Sequence, residues 1–596
     1  MAAAIALVAL GALGAVKAVS AGASFMFDLE QVQPALASVE PAIRDPHTPR
    51  LARRVFLVIV DGLRVDKSYE LPFLDELRRR GVDSEAISHY PSWSRPNYVS
   101  ILTGVPPSAS GVRTNHHSTP VSLDSLMDRA RAAGLKVAGA TDYDVLPKLF
   151  LRKRTPRVAD PEPHSLGDSL RPSPGTGVFT EGGGEGPKME RASERWRAGP
   201  DELDIDAMED PLSEKALKAP DANLESPFND ARYAPWPGGF TEAGTALASG
   251  DADLVVLLIG ATDAAGHAHG GASPEYREAA EIVDRALART LGRVDLTQDT
   301  IVVTADHGHT NRGGHGGIEP EVLDVPLVLA GAGVVPGTSA NDARLIDLAP
   351  TVAALLGIPA PGHGLGRTLD EVLAFDAGAR KARDIADQQR LTMTRGVVAG
   401  AEARAAIDVL TNRAERLGIV FGGAVLASVL AALLIRRRVL RLHLRVLLVS
   451  VPAFFIVYYA LIGTLGQRFS PSLLPAQGNL AVTMAKYGVA AMVVQLVASM
   501  AALRNQKTLA ERLAAANGIA WMGLMLAMIP AGLAWAFFPP PYVSVPSPVW
   551  LVLIPAVQVA VACAAVDVAL TLVVEVIIFA ARAYHRAALP TDRTGG

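Results

Sequence analysis

The chain has 596 residues, 49% of them hydrophobic, with a formal net charge of -4 and a mean hydropathy of +0.24. That length accommodates two or more domains, and the hydropathy is high for a soluble enzyme. The small net charge offers no electrostatic footprint for a nucleic-acid polymer. The single cysteine, Cys563, lies in an apolar run and excludes disulfides and thiolate metal sites, leaving His and carboxylate as metal donors.

Residues 1–24 contain AAAIALVALGALGAVKAVSAGA, with an apolar core of about 13 residues before Lys17 that suits a signal segment. Counted through Ala23, with Lys17 reaching toward the interface, it serves as an uncleaved membrane anchor, the preferred reading. Either exports the chain that follows a linker over 25–50. Arg53 and Arg54 then precede VFLVIVDG, an unbroken apolar run expected to form a buried central strand with Asp61 at its carboxyl end. LKVAGATD from Leu135, DLVVLLIGATD from Asp253 and DTIVVTADHG from Asp299 repeat the plan. Segments such as SLDSLMDRARAAG and PEYREAAEIVDRALARTLG read as helices between them. Strands alternating with amphipathic helices predict an α/β sandwich with a largely parallel central sheet over 51–375. Between about 155 and 235 the pattern breaks down around PSPGTGVFTEGGGEGP, where an exposed insertion is expected.

In such sheets ligands bind beyond the carboxyl ends of the strands. The candidate ligands fall there: Asp61, Asp263 and His267 in ATDAAGHAHGG, Asp306 and His307 in ADHG, and His315 in GGHGG. Any one of them alone is ordinarily a cap or turn residue, but six on matching strand ends point to metal chemistry. Three carboxylates and three imidazoles can fill two sites of three protein ligands each, which suits Zn2+, with Mn2+ as the alternative. Two divalent ions about 4 Å apart can hold the attacking and leaving oxygens of a phosphoryl transfer. The segment HYPSWSRPNYVSILTG opens a helix with serine, where backbone N–H groups meet an anion. Ser94 beside a metal is placed to lose its proton and attack phosphorus. Asn97 is placed to donate to a phosphoryl oxygen. Taken alone, a serine before a helix is usually a cap. Arg95 either pairs with an anionic substrate group or stands in solvent.

Residues 376–416, rich in Ala, Arg, Asp and Gln, read as a helical stalk. Beyond Leu417 come apolar runs of about 20 residues, the length that crosses a bilayer. Spans are expected near 417–435, 446–466, 480–503, 516–538 and 549–580, in a transmembrane domain over 417–583 with a tail at 584–596. Clusters headed by Arg436, by Arg504 and by Arg582 alternate with loops carrying Arg468 or no basic residue. The positive-inside rule then places the tail in the cytoplasm and 25–416 outside it. Asp567 and Glu575 share a face of the last span. Intramembrane acids are functional suspects, or here a pair bonded to Lys486 or nearby backbone.

With VDG, PSWSRPNYVSILTG, TDAAGH, ADHG and GGHGG in this order, followed by LIDLAPTVAALLGIPAPGHGLGR, residues 51–370 resemble the alkaline phosphatase superfamily in its type I phosphodiesterase/nucleotide pyrophosphatase branch. The resemblance implies an alkaline-phosphatase-like sandwich and Ser94 as nucleophile, where many members carry Thr. It implies one zinc held by Asp61, Asp306, His307 and Ser94, another by Asp263, His267 and His315, and Asn97 as a phosphate contact. His309, His269, His116 and His117 match no metal position. Arg95 departs from the aromatic residue common in nucleotide-cleaving members. SRP is similar instead to the luminal ethanolamine-phosphate transferases of glycolipid-anchor assembly, which also carry a multi-helix tail but have Gly at the place of Asn97. Sulfatases need an oxidised cysteine or serine in a different motif.

The expected function is therefore a membrane-anchored, two-metal phosphodiesterase-type hydrolase acting through phosphoserine on an extracytoplasmic phosphodiester. The multi-span tail argues for a lipid-linked one. Phosphoethanolamine-type head-group transfer by the same intermediate is the alternative. A non-enzymatic, metal-stabilised domain on a transporter or scaffold is a third reading. The expected partners are the bilayer and the phosphodiester, and oligomeric state stays open.

Overall fold

A computed structural model of the chain describes Leu29 and residues 32–153 and 224–588, apart from 118, 144, 443, 466–469, 474–479, 504–505 and 540–543. The chain divides into two compact units, Gln33–Val398 and a second that takes in Ala399–Gly596. In the first unit, β1 (Arg54–Val60) is buried from Val55 onward on both faces, as its unbroken apolar run requires. Around it stand β2 (Gly81–Ile87), β3 (Val137–Thr141), β6 (Asp230–Tyr233), β7 (Leu254–Ile259), β8 (Asp299–Thr304) and β9 (Asp324–Gly331). Among the described residues these seven strands form one sheet in the order β2-β9-β8-β1-β7-β3-β6. β1 pairs parallel with β7 and β8, and β3 parallel with β7 and β6. β9 runs antiparallel to both β8 and β2. A separate ribbon joins β4 (Arg152–Lys153) to β5 (Leu224–Glu225).

The four strands read from the sequence are β1, β3, β7 and β8. Two features differ. β9 and β2 add an antiparallel edge, and β2 alternates buried with exposed residues because only one of its faces is covered. β6 takes residues 230–233 into the sheet beside β3, so the insertion expected over 155–235 ends earlier. Its half-exposed DARY lacks the apolar run that marks a central strand. Most of the expected insertion, like the segment 1–24, lies outside the described residues.

Helices α1 (Pro72–Arg80) and α4 (Gly238–Ala248) each contact α6 (Pro274–Leu291), and α2 (Ser94–Thr103), α3 (Leu126–Ala132) and α7 (Leu348–Leu355) contact one another; α5 (Ala261–His269) packs on α6. The start of α6 is set by Ser273, whose hydroxyl accepts from Tyr276 N, and by Pro274 in the first turn. Its Tyr276, Ala280, Val283, Leu287 and Leu291 recur at helical spacing and are buried. The long helix α8 (Ala377–Thr411) begins as part of this unit. Buried Arg383 donates to Ile358 O and Thr48 Oγ1, and buried Arg390 to Gly364 O, Gly366 O and Asp387. The expected stalk is thus fastened to the first unit over its opening turns.

In the second unit α9 (Arg413–Arg436), α10 (Leu444–Leu465), α11 (Leu480–Leu503), α12 (Leu509–Phe537) and α13 (Pro548–Ala588) form over the apolar runs. Among the described residues three stretches, ending at Arg436, Ala501 and Phe537, are long and apolar enough to cross a membrane. Leu448–Thr464 and Pro548–Ala564 are shorter apolar helices. A capping box between Thr508 and Glu511 starts α12 ahead of the expected span. That early turn carries Arg512 inward, where its Nε lies 2.5 Å from Glu575 Oε2 with both side chains buried. Arg512, rather than Lys486, is the basic partner of Glu575.

Arg512→Ala leaves Glu575 buried without that partner and is expected to destabilise the helical unit by about 3–5 kcal/mol. The double replacement Arg512→Leu with Glu575→Leu recovers most of the loss. Thermal unfolding in detergent micelles reads both, and an R512A protein as stable as wild type contradicts the pairing.

Candidate active site

The ends of adjacent strands β1 and β8 bring Asp61 beside Asp306 and His307, and Gly62 N ties them by donating to Asp306 Oδ1 at 3.2 Å. Asp61 Oδ1 and Asp306 Oδ2 each lie 3.4 Å from His307 Nε2. Ser94 Oγ, from the first residue of α2, lies 3.1 Å from the same nitrogen. All four residues are buried. The outward-facing atoms are otherwise uncommitted. Asp61 Oδ2 accepts from the Tyr98 hydroxyl, and Asp306 Oδ1 accepts from Gly62 N and His307 N. Asp61 Oδ1 and Asp306 Oδ2 are left with no hydrogen-bond partner.

A second cluster adjoins the first. Asp263 and His267 stand one turn apart on α5, and His315 comes from the loop after β8. Asp263 Oδ1 lies 3.5 Å from His267 Nε2 and 3.6 Å from His315 Nε2, and those two nitrogens are 3.0 Å apart. His315 stacks on His307 with ring centroids 3.7 Å apart, which places the clusters side by side. The loop can close this far because Gly316 adopts φ 113° against the Trp93 indole, where a Cβ would collide.

The donor atoms fit divalent cations. Asp61, Asp306 and His307, and likewise Asp263, His267 and His315, each bring one ligand atom within 4.8 Å of the others. Burial, and then the charges of Asp306 and Asp263, pushes the Asp61 carboxyl well above the usual carboxylate range. Two buried acceptor oxygens without donors, in a group of acids that repel one another, are what a cation would satisfy. Burial, and then His307, holds the His315 imidazole well below its usual value, so it stays neutral as ligation requires. Burial likewise takes His309 down to about 4, and its Nε2 lies 2.8 Å from Asp263 Oδ1.

The structure therefore gathers Asp61, Ser94, Asp263, His267, Asp306, His307 and His315 into one pair of clusters. Two expectations are corrected. Asn97 is wholly buried and spends its amide on the loop before α2: Nδ2 donates to His89 O, Pro91 O and Trp93 O, and Oδ1 accepts from His89 N. It braces that loop rather than facing a phosphoryl oxygen. Arg95 is not solvated. It is 4% exposed, and its guanidinium donates to His117 O at 2.9 Å and Tyr143 Oη at 3.2 Å. Another asparagine, Asn115, comes close to Ser94: its Oδ1 accepts from Arg95 N at 3.1 Å. No motif marks Asn115; the fold of the 111–117 loop brings it there. His309 was also passed over, because a second His after ADHG matches no familiar pattern. His269 is exposed at the end of α5, and His363 is engaged away from the site with Asp124 N and Val39 O.

Residues 55–321 match the family model described as Type I phosphodiesterase / nucleotide pyrophosphatase. This domain belongs to that branch of the alkaline phosphatase superfamily. The phosphodiesterase domain and its flanks are 26% identical over 391 residues to GPI ethanolamine phosphate transferase 1 of Emericella nidulans, covering 57% of this chain and 37% of that protein. They are 33% identical over 131 residues to GPI ethanolamine phosphate transferase 3, catalytic subunit, of Homo sapiens, covering 21% of this chain and 12% of that one. The chain thus spans well under half the length of these relatives. Among solved structures, wild type alkaline phosphatase PafA is similar at 14% identity with a TM-score of 0.35, covering 55% of this chain and 99% of that chain.

Asn97→Ala strips donors from three loop carbonyls and is expected to lower stability by about 1–3 kcal/mol. Asn115→Ala removes the acceptor of a single backbone N–H, that of Arg95, and is expected to cost only about 0.5–1.5 kcal/mol while slowing turnover on bis-p-nitrophenyl phosphate. Thermal unfolding beside a steady-state assay separates the two, and an unchanged melting temperature for N97A removes the bracing role.

Proposed function

We propose that this chain is a membrane-anchored enzyme that cleaves a phosphodiester through a covalent phosphoserine at Ser94. The observation that carries the reading is Ser94 Oγ at 3.1 Å from His307 Nε2, at the focus of two unsatisfied carboxylate oxygens. Asp61, Asp306, His307 and Ser94 would hold one divalent ion and Asp263, His267 and His315 the other, with Zn2+ favoured by the mixed oxygen and nitrogen donors. When bound, such ions supply the charge that favours serine alkoxide and offsets the developing oxyanions.

The chain's own groups arrange the rest. Ser94 Oγ loses its proton and attacks phosphorus in line, forming the serine phosphoester as the bond to the leaving alcohol breaks; the leaving oxygen takes up a proton. The first turn of α2 presents its backbone N–H groups to the phosphoryl oxygens, and the Asn115 amide lies beside them. Arg95 holds the Asn115–His117 loop in place through His117 O. An acceptor oxygen then attacks the phosphoserine from the opposite side, which frees Ser94.

The two curated relatives carry ethanolamine phosphate transferase in their names. We accordingly place head-group transfer to an alcohol acceptor, on a lipid-linked substrate, ahead of hydrolysis. This reverses the order read from the sequence alone. Hydrolysis, with water as the acceptor, is the second reading, and the family description supports it. The catalytic domain over 51–375 is assigned to the extracytoplasmic side, with five spans over 417–583 and the tail at 584–596 in the cytoplasm, on the strength of the arginine-rich loops.

Full-length protein in nanodiscs, given phosphatidylethanolamine labelled in its phosphate, is expected to trap label on the chain after acid quench. Ser94→Ala is expected to abolish trapping and lower turnover by about a thousandfold or more. Chelation stops the reaction and Zn2+ restores it. Label reaching an alcohol acceptor supports transfer, and label released as water-soluble phosphoethanolamine supports hydrolysis. Equal rates for wild type and S94A on bis-p-nitrophenyl phosphate remove Ser94 as the nucleophile.

A further inference from the structure

His307 and His315 share a feature that His309 lacks. His307 Nδ1 faces Gly308 O at 3.1 Å, and His315 Nδ1 faces Ser92 O at 2.9 Å. Each carbonyl takes the Nδ1 proton and leaves a lone pair on Nε2, the state in which an imidazole ligates a metal. His309 is fully buried, and its Nδ1 has no hydrogen-bond partner among the described residues. Its other nitrogen, Nε2, lies 2.8 Å from Asp263 Oδ1. A neutral imidazole carries one proton. On Nδ1 that proton would be a buried donor with no acceptor, and a nitrogen lone pair would face a carboxylate oxygen. On Nε2 it makes a charge-assisted hydrogen bond and leaves only an acceptor unmet.

We propose that His309 is a positioning residue for the Asp263–His267–His315 cluster: it donates Nε2–H to Asp263 Oδ1 and aims that carboxylate at the two neighbouring imidazoles, without being a ligand itself. The same oxygen faces His267 Nε2 and His315 Nε2 at 3.5 Å and 3.6 Å. The backbone is shaped to seat the ring. A Cβ at Gly266, between Asp263 and His267 on α5, would collide with His309 Cδ2 and Nε2, and one at Gly62 would come within 3.0 Å of Nε2. Arg64 Nη1 holds His309 O at 3.1 Å from behind while its Nε pairs with Asp66. The first cluster has a counterpart, since the buried Tyr98 hydroxyl donates to Asp61 Oδ2. Each cluster thus has one acid aimed by a buried donor that stands outside the ligand set.

This inference rests on the two-ion reading above, and metal content tests it apart from activity. Full-length protein in detergent is loaded with Zn2+, dialysed against graded concentrations of a chelator and assayed for zinc per chain; unfolding of the metal-free proteins verifies their fold. Wild type is expected to retain two ions. In His309→Leu one ion is expected to leave at about 10–100-fold lower chelator while the other is held as in wild type. His309→Gln, which keeps an N–H donor, restores most of the affinity, and Gly266→Ala, which displaces the ring, reproduces the loss. No zinc in wild type overturns the two-ion reading itself. Two ions held with wild-type affinity in H309L overturns the positioning role alone. Loss in H309L without rescue in H309Q overturns the donor role and makes His309 a ligand.

Discussion

Two buried carboxylates at adjacent strand ends, Asp61 and Asp306, with the half-buried Asp263 of α5 beside them, are the constraint on which the rest of the first unit depends. Burial, with repulsion from Asp306 and Asp263, raises the cost of charging Asp61. Parallel strands impose this crowding, because they all deliver their carboxyl ends to the same side. Such a group persists only when cationic charge or donors meet it. Here donors meet one oxygen of Asp61 and one of Asp306, and the opposite oxygens are left facing His307 Nε2 and Ser94. An arrangement that satisfies half of each carboxylate and leaves the other half open is suited to a cation, not to a neutral core.

Ser94 is held with similar care. Helix α2 is buried at all ten positions, which is unusual for a segment containing Ser94, Arg95, Asn97, Ser100 and Thr103. Each polar group has an internal use. Ser100 and Thr103 bond back to the carbonyls of Pro96 and Val99, Asn97 stitches the preceding loop, and Arg95 reaches the 115–117 loop and Tyr143. Ser94 and Tyr98 point their hydroxyls into the acid–imidazole cluster, Ser94 toward His307 Nε2 and Tyr98 toward Asp61 Oδ2. A helix this committed has little freedom to drift, so the serine oxygen stays in reach of His307 Nε2.

Residues 55–321 match the type I phosphodiesterase / nucleotide pyrophosphatase model, and the chain is similar over part of its length to GPI ethanolamine phosphate transferases. In the proposed reaction, hydrolysis and transfer differ only in the acceptor of the second step. In the helical unit the buried Glu575 is paired with the buried Arg512. The first unit in turn extends into α8 through Arg383 and Arg390, whose guanidinium groups bond carbonyls of the 358–366 segment.

By itself the sequence determined the parts whose physics is local. Strands β1, β7 and β8 announce themselves because burial on both faces demands an unbroken apolar run, and the acid or imidazole just past each run marks the site. The membrane helices are equally plain, since a bilayer admits only long apolar stretches. Tertiary structure alone decided the rest. β6 is an edge strand with one partner, so nothing in DARY had to be apolar. Asn97 and Asn115 are indistinguishable as letters, and only the path of the loop after α2 turned the first amide inward and brought the second to Ser94. His309 sits two residues from a ligand-type histidine, yet its role follows from one unpaired nitrogen and from glycines that clear its ring. Both facts arise from the close approach of α5 to the end of β8, which no spacing in the chain encodes.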